Sequence, residues 1–266
     1  MTQFNEVIQP IICDPYAEPT AHWVIEKGQP PMKAQGRREA CYFYRPPGRS
    51  TGAGAADDVG TRVRLDLVND IRARVAAWRS SGYLGVTGVT AELLGYWQRD
   101  GRERRLFFCQ REAVQTVIFL IEARPDFRQG LTIPDDEPGA FVRYGAKMAT
   151  GSGKTTVMAA LAAWSILNKI ADRSDKRFSD VVLILCPNVT IRDRLQELDP
   201  HRGEASLYRT RDLVPPHLMS DVRKGHVLIR NWHVLAPQDL NQVGGVGARV
   251  VQRGVESDSA LVKRVP

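Results

Sequence analysis

The run Met148-Ala149-Thr150-Gly151-Ser152-Gly153-Lys154-Thr155 decides how the rest of this chain is read. It lies between a candidate strand, Phe141 to Met148, and an apolar helical stretch from Thr155 to Ile170. Small residues at such a junction let backbone N–H groups turn inward around phosphate oxygens. Lys154 adds a point charge for the outer phosphates, and Thr155 a hydroxyl for Mg²⁺. The common pattern of such loops has glycine where Met148 stands, so a strict pattern search passes over this one. The Gly-Ser-Gly-Lys-Thr core still keeps each group that touches phosphate. A glycine-rich turn that merely opens a helix would explain Gly151 and Gly153, but it gives no reason for the Lys154-Thr155 pair.

Bulk properties set the frame. The 266 residues suffice for one large or two modest domains, and 43% hydrophobic with 25% charged residues is ordinary for a soluble globular protein. Cys13, Cys41, Cys109 and Cys186 are scattered, without metal-ligand spacing or a small-domain disulfide pattern, which fits a reduced, cytoplasmic protein. Asn5, Glu6 and Asp14 interrupt the N-terminal apolar runs, so no signal peptide is expected, and no apolar run reaches membrane-spanning length. The net charge of +7 is carried mostly by arginine, whose planar fork bonds two phosphate oxygens at once. A pI near 9.4 meets the first test for a nucleic-acid binder, although many basic proteins bind none.

Three regions follow along the chain. Residues 1–60 read as an irregular extension, with 46–60 as a Pro/Gly/Ala/Ser linker. Residues 61–138 read as helical. Val63, Leu67, Ile71, Val75 and Trp78 recur at helical spacing, a second short helix is expected over 90–98, and a third over 110–124 with Val114, Val117, Ile118 and Ile121 on one face. Residues 139–266 read as alternating strand and helix. The run Val181 to Leu185 is apolar throughout, as a parallel strand buried on both faces would be. A helix is expected at 190–198, a short strand at 205–208, a helical turn after Pro215-Pro216 and a strand from His226 to Arg230. Such an order implies an α/β parallel sheet with right-handed crossovers.

Three segments line up with the loop. Gln110 can pair with the N7 and N6 edge of adenine, although alone it reads as the first residue of a helix. Pro187-Asn188-Val189-Thr190, with Arg192 and Arg194, follows the first apolar strand, where open α/β sheets bind ligands. Thr190 is placed to cap the next helix, whose N-terminus favours an anion. Arg230-Asn231-Trp232-His233 ends the next strand. Arg230 suits a phosphate and Trp232 a sugar or base, while His233 is more often a structural histidine than a catalytic one.

Gln110, the loop 148–155, Pro187-Asn188-x-Thr190 and Arg230-Asn231-x-His233 together resemble superfamily-two DNA helicases and translocases. The likeness is strongest to the ATP-dependent restriction subunits of type III and type I restriction enzymes, and it covers about residues 105–240. It implies an incomplete RecA-like lobe, preceded by the helical region and the extension, that uses ATP and Mg²⁺. In that reading Gln110 meets adenine, and Thr150, Gly151, Ser152, Gly153, Lys154, Thr155 and Thr156 cradle the triphosphate. Lys154 and Thr155 are then the catalytic pair, with Thr155 on Mg²⁺. Pro187, Asn188, Thr190, Arg192, Arg194, Arg230, Asn231 and His233 would grip one DNA strand, and methyltransferase or specificity subunits would be partners. The extension offers only a loose likeness at Asp14-Pro15-Tyr16 and Arg45-Pro46-Pro47.

Hydrolysis needs a carboxylate at a buried strand end to hold Mg²⁺. The two apolar strands run instead into Cys186-Pro187 and Asn231. The apolar run Val117 to Glu122 imitates such a strand but reads as helix. The chain therefore looks like the front half of a motor's first lobe, expected to bind nucleotide weakly and to hydrolyse it negligibly by itself. Two other readings stay open: a nucleotide- or DNA-binding module without turnover, and a phosphoryl-transfer enzyme on a small molecule, for which no arginine-bearing lid is visible. Robust DNA-stimulated ATP hydrolysis by this chain alone would overturn the half-motor expectation.

Overall fold

The computed structural model describes residues 9–26, 29–44, 60–134 and 142–232. The chain divides into two compact units, residues 1–161 and 162–266. Each is a mixture of helix and short strands, consistent with an α/β protein, and every sheet among the described residues has two strands.

In the first unit the extension is more ordered than its composition suggests. Strand β1 (Ala21–Val24) pairs antiparallel with β2 (Met32–Gln35), and β3 (Cys41–Tyr44) with β4 (Thr61–Arg64). Cys-Tyr-Phe-Tyr is a good strand sequence. Its partner, however, lies beyond residues 45–59, which fall outside the described residues together with most of the expected linker. Val63 accordingly sits in β4 rather than on the expected helix, which starts later, as α1 (Asp66–Ser80). Helices α2 (Gly88–Gln98) and α3 (Phe108–Glu122) form where expected, and a single turn, α4 (Pro125–Arg128), follows.

The core of this unit centres on Trp78, fully buried and edge-on to Phe119 at 5.6 Å and Tyr83 at 5.0 Å. Its indole N–H donates to the Leu84 carbonyl at 3.0 Å, so the large ring is buried without an orphaned donor. The buried face of α3 is Val114, Gln115, Ile118, Phe119 and Glu122, rotated from the expected stripe through Val117 and Ile121. Two polar residues share that face, each satisfied by partners that helical periodicity cannot reveal. Gln115 accepts from Arg79 at 2.9 Å and donates to the Tyr83 hydroxyl at 2.9 Å. Glu122 accepts from the Thr87 N–H at 2.8 Å and the Thr90 hydroxyl at 2.7 Å, pinning the start of α2. Glu122 thus belongs to a helix, as read, and not to a strand end.

Residues 142–148 have no regular secondary structure, so the strand expected before the loop does not form there. The described part, Val142-Arg143-Tyr144-Gly145-Ala146-Lys147-Met148, has no ladder partner to fix it, and Phe141 lies outside the described residues. Helix α5 (Lys154–Ala171) follows, one residue longer at each end than expected.

In the second unit β5 (Val181–Cys186) and β6 (His226–Asn231) run parallel, Val181 opposite His226 and Cys186 opposite Asn231. Parallel neighbours need a long crossover. It comprises α6 (Val189–Leu195), two short 3₁₀ stretches, α7 (Leu207–Thr210), a third 3₁₀ turn and α8 (Met219–Val222). The strand expected at 205–208 is replaced by the start of α7. Leu207 and Tyr208 are both buried, which an alternating strand does not allow and a helical turn does. The Tyr208 hydroxyl donates to the Leu198 carbonyl at 2.8 Å, and burial pushes this phenol well above its ordinary pKa. β5 also departs from expectation. Ile184 and Cys186 are buried, but Val181, Leu183 and Leu185 on the other face remain 46–49% exposed. Gly225 admits β6 to the sheet, since a Cβ there would lie 2.5 Å from Cγ2 of Ile166 on α5.

Removing the carboxylate at Glu122 leaves the Thr87 N–H and Thr90 hydroxyl without their buried acceptor. Glu122→Ala is expected to lower stability by about 2–3 kcal/mol, read from urea denaturation midpoints, with Glu122→Gln milder.

Candidate functional site

The loop at 149–153 is shaped by two glycines. Gly151 and Gly153 both have φ near +79°, a left-handed conformation in which a side chain is strained. Between them, Ser152 bonds back to the Ala149 carbonyl through its N–H at 3.3 Å and its hydroxyl at 2.7 Å. Lys154 curls over the loop, and its ammonium donates to the carbonyls of Met148 at 2.9 Å and Ala149 at 2.8 Å. The N–H groups of Thr156 and Val157 are taken by Gly153. Those of Gly153, Lys154 and Thr155 make no hydrogen bond among the described residues. Three free donors at a helix N-terminus, with an exposed ammonium beside them, match what polyphosphate requires. The side chains of Lys154 and Thr155 are accessible, whereas Thr156 is buried.

Gln110 fixes this loop in place. It is 7% exposed. Its Oε1 accepts from the Phe107 N–H at 3.0 Å at the start of α3, and its Nε2 donates to the Ser152 carbonyl at 3.0 Å. Each amide atom keeps one further valence, a second hydrogen on Nε2 and a second lone pair on Oε1. Anchoring the loop and pairing with adenine are therefore compatible. The approach is close enough that a Cβ on Gly153 would lie 2.1 Å from Nε2, so this glycine is required twice, for its φ and for space.

Beside the loop lies a largely apolar cavity of about 440 Å³, lined by Thr150, Gly151 and Ser152, by Phe107, Phe108 and Cys109, and by the segment from Cys13 to Pro19. The N-terminal contribution is the part that motif reading missed, and Asp14-Pro15-Tyr16 was its one faint signal. That segment is held by the Phe108 N–H, which donates to the Pro15 carbonyl at 2.8 Å, and by Arg111 Nη2, which donates to the Tyr16 carbonyl at 2.7 Å. The Tyr16 ring rests against Phe107 at 5.5 Å. Farther along, Arg37 forks onto Glu112 of α3 in an ion pair that is mostly shielded from solvent.

In the second unit a cavity of about 430 Å³ brings together Arg192, Arg230 and Asn231, with Asp193, Gln196 and Ile229. Pro187, Asn188, Thr190 and Arg194 are exposed nearby in sequence but do not line it. The expected cap is reassigned. Asn188, in extended conformation, caps α6 by accepting from the Ile191 N–H at 2.9 Å, and Thr190 already lies inside the helix. Arg192 is paired with its neighbour Asp193 at 2.9 Å, an exposed contact of about 0–1 kcal/mol that an incoming phosphate can displace. Arg230 donates to the Ile229 carbonyl at 3.2 Å. The Cys186 thiol donates to the Arg230 carbonyl at 3.1 Å and reaches Asn231 Oδ1 at 3.6 Å, joining the two strand ends. Trp232 is half exposed, and His233 lies outside the described residues.

Residues 103–207 match the family described as type III restriction enzyme, res subunit. The matched span holds Gln110, the whole phosphate loop, β5 and α6, so the resemblance to restriction-enzyme subunits of helicase-like type holds over it. No curated protein and no solved structure matches the chain. No helix among the described residues is long and apolar enough to cross a membrane.

Gly153→Ala forces the Gln110 amide away from Ser152 and strains a left-handed φ by about 1–2 kcal/mol. The thermal midpoint is expected to fall, and for a loop that holds a polyphosphate the affinity is expected to drop about tenfold or more by isothermal titration.

Proposed function

We propose that this chain carries the ATP-binding part of an ATP-dependent DNA helicase or translocase subunit of a restriction system. In this reading residues 139–266 belong to a RecA-like lobe, residues 61–138 supply the helices that present Gln110, and the protein works in the cytoplasm. The observation that carries the proposal is the loop itself. Lys154 and three unbonded backbone N–H groups stand beside an apolar cavity, and a buried glutamine locks the arrangement to the neighbouring helix. The residues fit the nucleotide they would hold. Thr150 to Thr155 would wrap the phosphates, Lys154 would exchange its two carbonyls for phosphate oxygens, and Gln110 would offer its spare hydrogen and lone pair to adenine. The buried Thr156 would support the loop from behind. Mg²⁺, when bound, would neutralise charge between the outer phosphates, with the Thr155 hydroxyl among its ligands.

The DNA contacts belong to the second unit. Arg192, Arg230 and Asn231 share one cavity; Pro187, Asn188, Thr190 and Arg194 would extend it along a backbone, and His233, outside the described residues, would be a further contact. Such contacts position a strand without reading its sequence. A specific observation also favours the module without turnover: β5 and β6 end in Cys186 and Asn231, and neither can supply the carboxylate that hydrolysis needs. Partners of the methyltransferase or specificity type follow from the restriction-system reading alone.

Lys154→Ala is expected to abolish ATP binding and to leave DNA binding intact, still falling steeply with salt in fluorescence anisotropy. Arg230→Ala should instead weaken DNA binding uniformly across sequences and lower the salt slope by about one, with ATP affinity unchanged. Absence of DNA binding at low salt in the unaltered chain would turn the assignment toward a small-molecule phosphotransferase.

A further inference from the structure

A second basic cavity lies in the first unit and shares no residue with the phosphate loop. It encloses about 350 Å³ and is lined by Tyr16, Trp97 and a set of arginines that includes Arg99, Arg102, Arg105 and Arg111, against the single carboxylate of Asp100. Arg99 and Arg102 both donate to the Tyr96 carbonyl, at 2.6 and 3.4 Å.

Arg105 and Arg111 are the informative pair, because neither forms an ion pair with a carboxylate among the described residues. Arg105 lies over the Tyr16 ring at 4.3 Å, and Arg111 approaches the Phe108 ring at 5.9 Å, so aromatic faces are their nearest electrostatic compensation. Arg111 is half-buried and uses Nη2 on the Tyr16 carbonyl, while its Nε is buried with no hydrogen-bond partner. Burial first, then the charges of Arg79 and Arg105, pull its pKa below the ordinary arginine value. A buried cation without a counter-charge is costly, and a planar donor fork is best satisfied by an anion with several oxygens.

We propose that this arginine cavity is a second anion site that takes a phosphate group, with Arg105 and Arg111 as its principal ligands. Its enclosure suits a compact phosphoanion such as pyrophosphate or the terminal phosphate of a short oligonucleotide. It stands apart from the nucleotide reading, since no group on the phosphate loop contributes to it.

The test uses the full chain carrying Lys154→Ala, which removes the main charge of the phosphate loop. Pyrophosphate, a 5′-phosphorylated trinucleotide and its unphosphorylated counterpart are titrated separately by calorimetry. Saturable binding of pyrophosphate or of the phosphorylated trinucleotide is expected, weakened about tenfold or more by a further Arg111→Met or Arg105→Met. Arg173→Met, far along the sequence on an exposed ion pair, leaves it unchanged. Arg105 is exposed, so its variant tests the site even if Arg111→Met compromises folding. Binding of pyrophosphate alone identifies a free anion as the ligand, and binding of the trinucleotide only when phosphorylated identifies a nucleic-acid end. No saturable binding of either at millimolar concentration, or equal affinity in the parent and both arginine variants, overturns the proposal. Failure of the unaltered chain to bind ATP would overturn the nucleotide reading and leave this result standing.

Discussion

The side-chain amide of Gln110 is the contact on which the rest of the candidate site depends. A glycine-rich loop has little stiffness of its own, because glycine gives up more backbone freedom on ordering than any other residue. Here the loop is held at its middle by one hydrogen bond from Nε2 to the Ser152 carbonyl, while Oε1 of the same amide is fixed by the first turn of α3. Two bonds of about 1 kcal/mol each would be modest on a surface. In a nearly buried position they set where the loop can lie, since breaking either leaves a desolvated polar atom. The helix that carries Gln110 is in turn positioned by Trp78, Gln115 and Glu122, so core packing in the first unit reaches the phosphate loop through one side chain.

The same helix start organises the N-terminal segment. Phe108 is buried, and the guanidinium groups of Arg37, Arg79 and Arg111 surround its ring at 5.4, 5.5 and 5.9 Å. Arg37 is neutralised by Glu112, Arg79 donates to Gln115 and lies near Glu18, and Arg111 holds the backbone of Tyr16. Cationic side chains thus serve as structural struts between an extension and a helix. These three arginines are therefore occupied by contacts within the first unit. Two cavities gather basic side chains: one around Arg192 and Arg230, the other around Arg105 and Arg111.

Departures from the sequence reading share a cause. Periodicity tracks apolar residues, so it missed the buried polar anchors Gln115 and Glu122 on α3, and it drew β4 into a helix because Val63 happened to fall in phase. The pairing of β3 with β4 spans residues 45–59 and leaves no local trace. The run Val181 to Leu185 looked like a strand covered on both sides. Its second face is half open, because burial depends on what packs against a strand and not on the strand's own composition. Leu207 and Tyr208 looked like strand residues until both proved buried side by side.

By itself the sequence named the groups that the loop offers. Gly151, Gly153, Lys154 and Thr155 are fixed by bond geometry and charge that need no distant partner, and α2, α3, α5, β5 and β6 were legible because each is a continuous local pattern. The tertiary structure alone decided that Gln110 braces Ser152, that Cys13 to Pro19 wall the neighbouring cavity, and that Asn188 rather than Thr190 caps α6. The first two are contacts between residues far apart in the chain, and they exist only where folding brings a donor, an acceptor and an apolar wall into one desolvated place. The third is settled by which residue takes up extended backbone angles at the helix start.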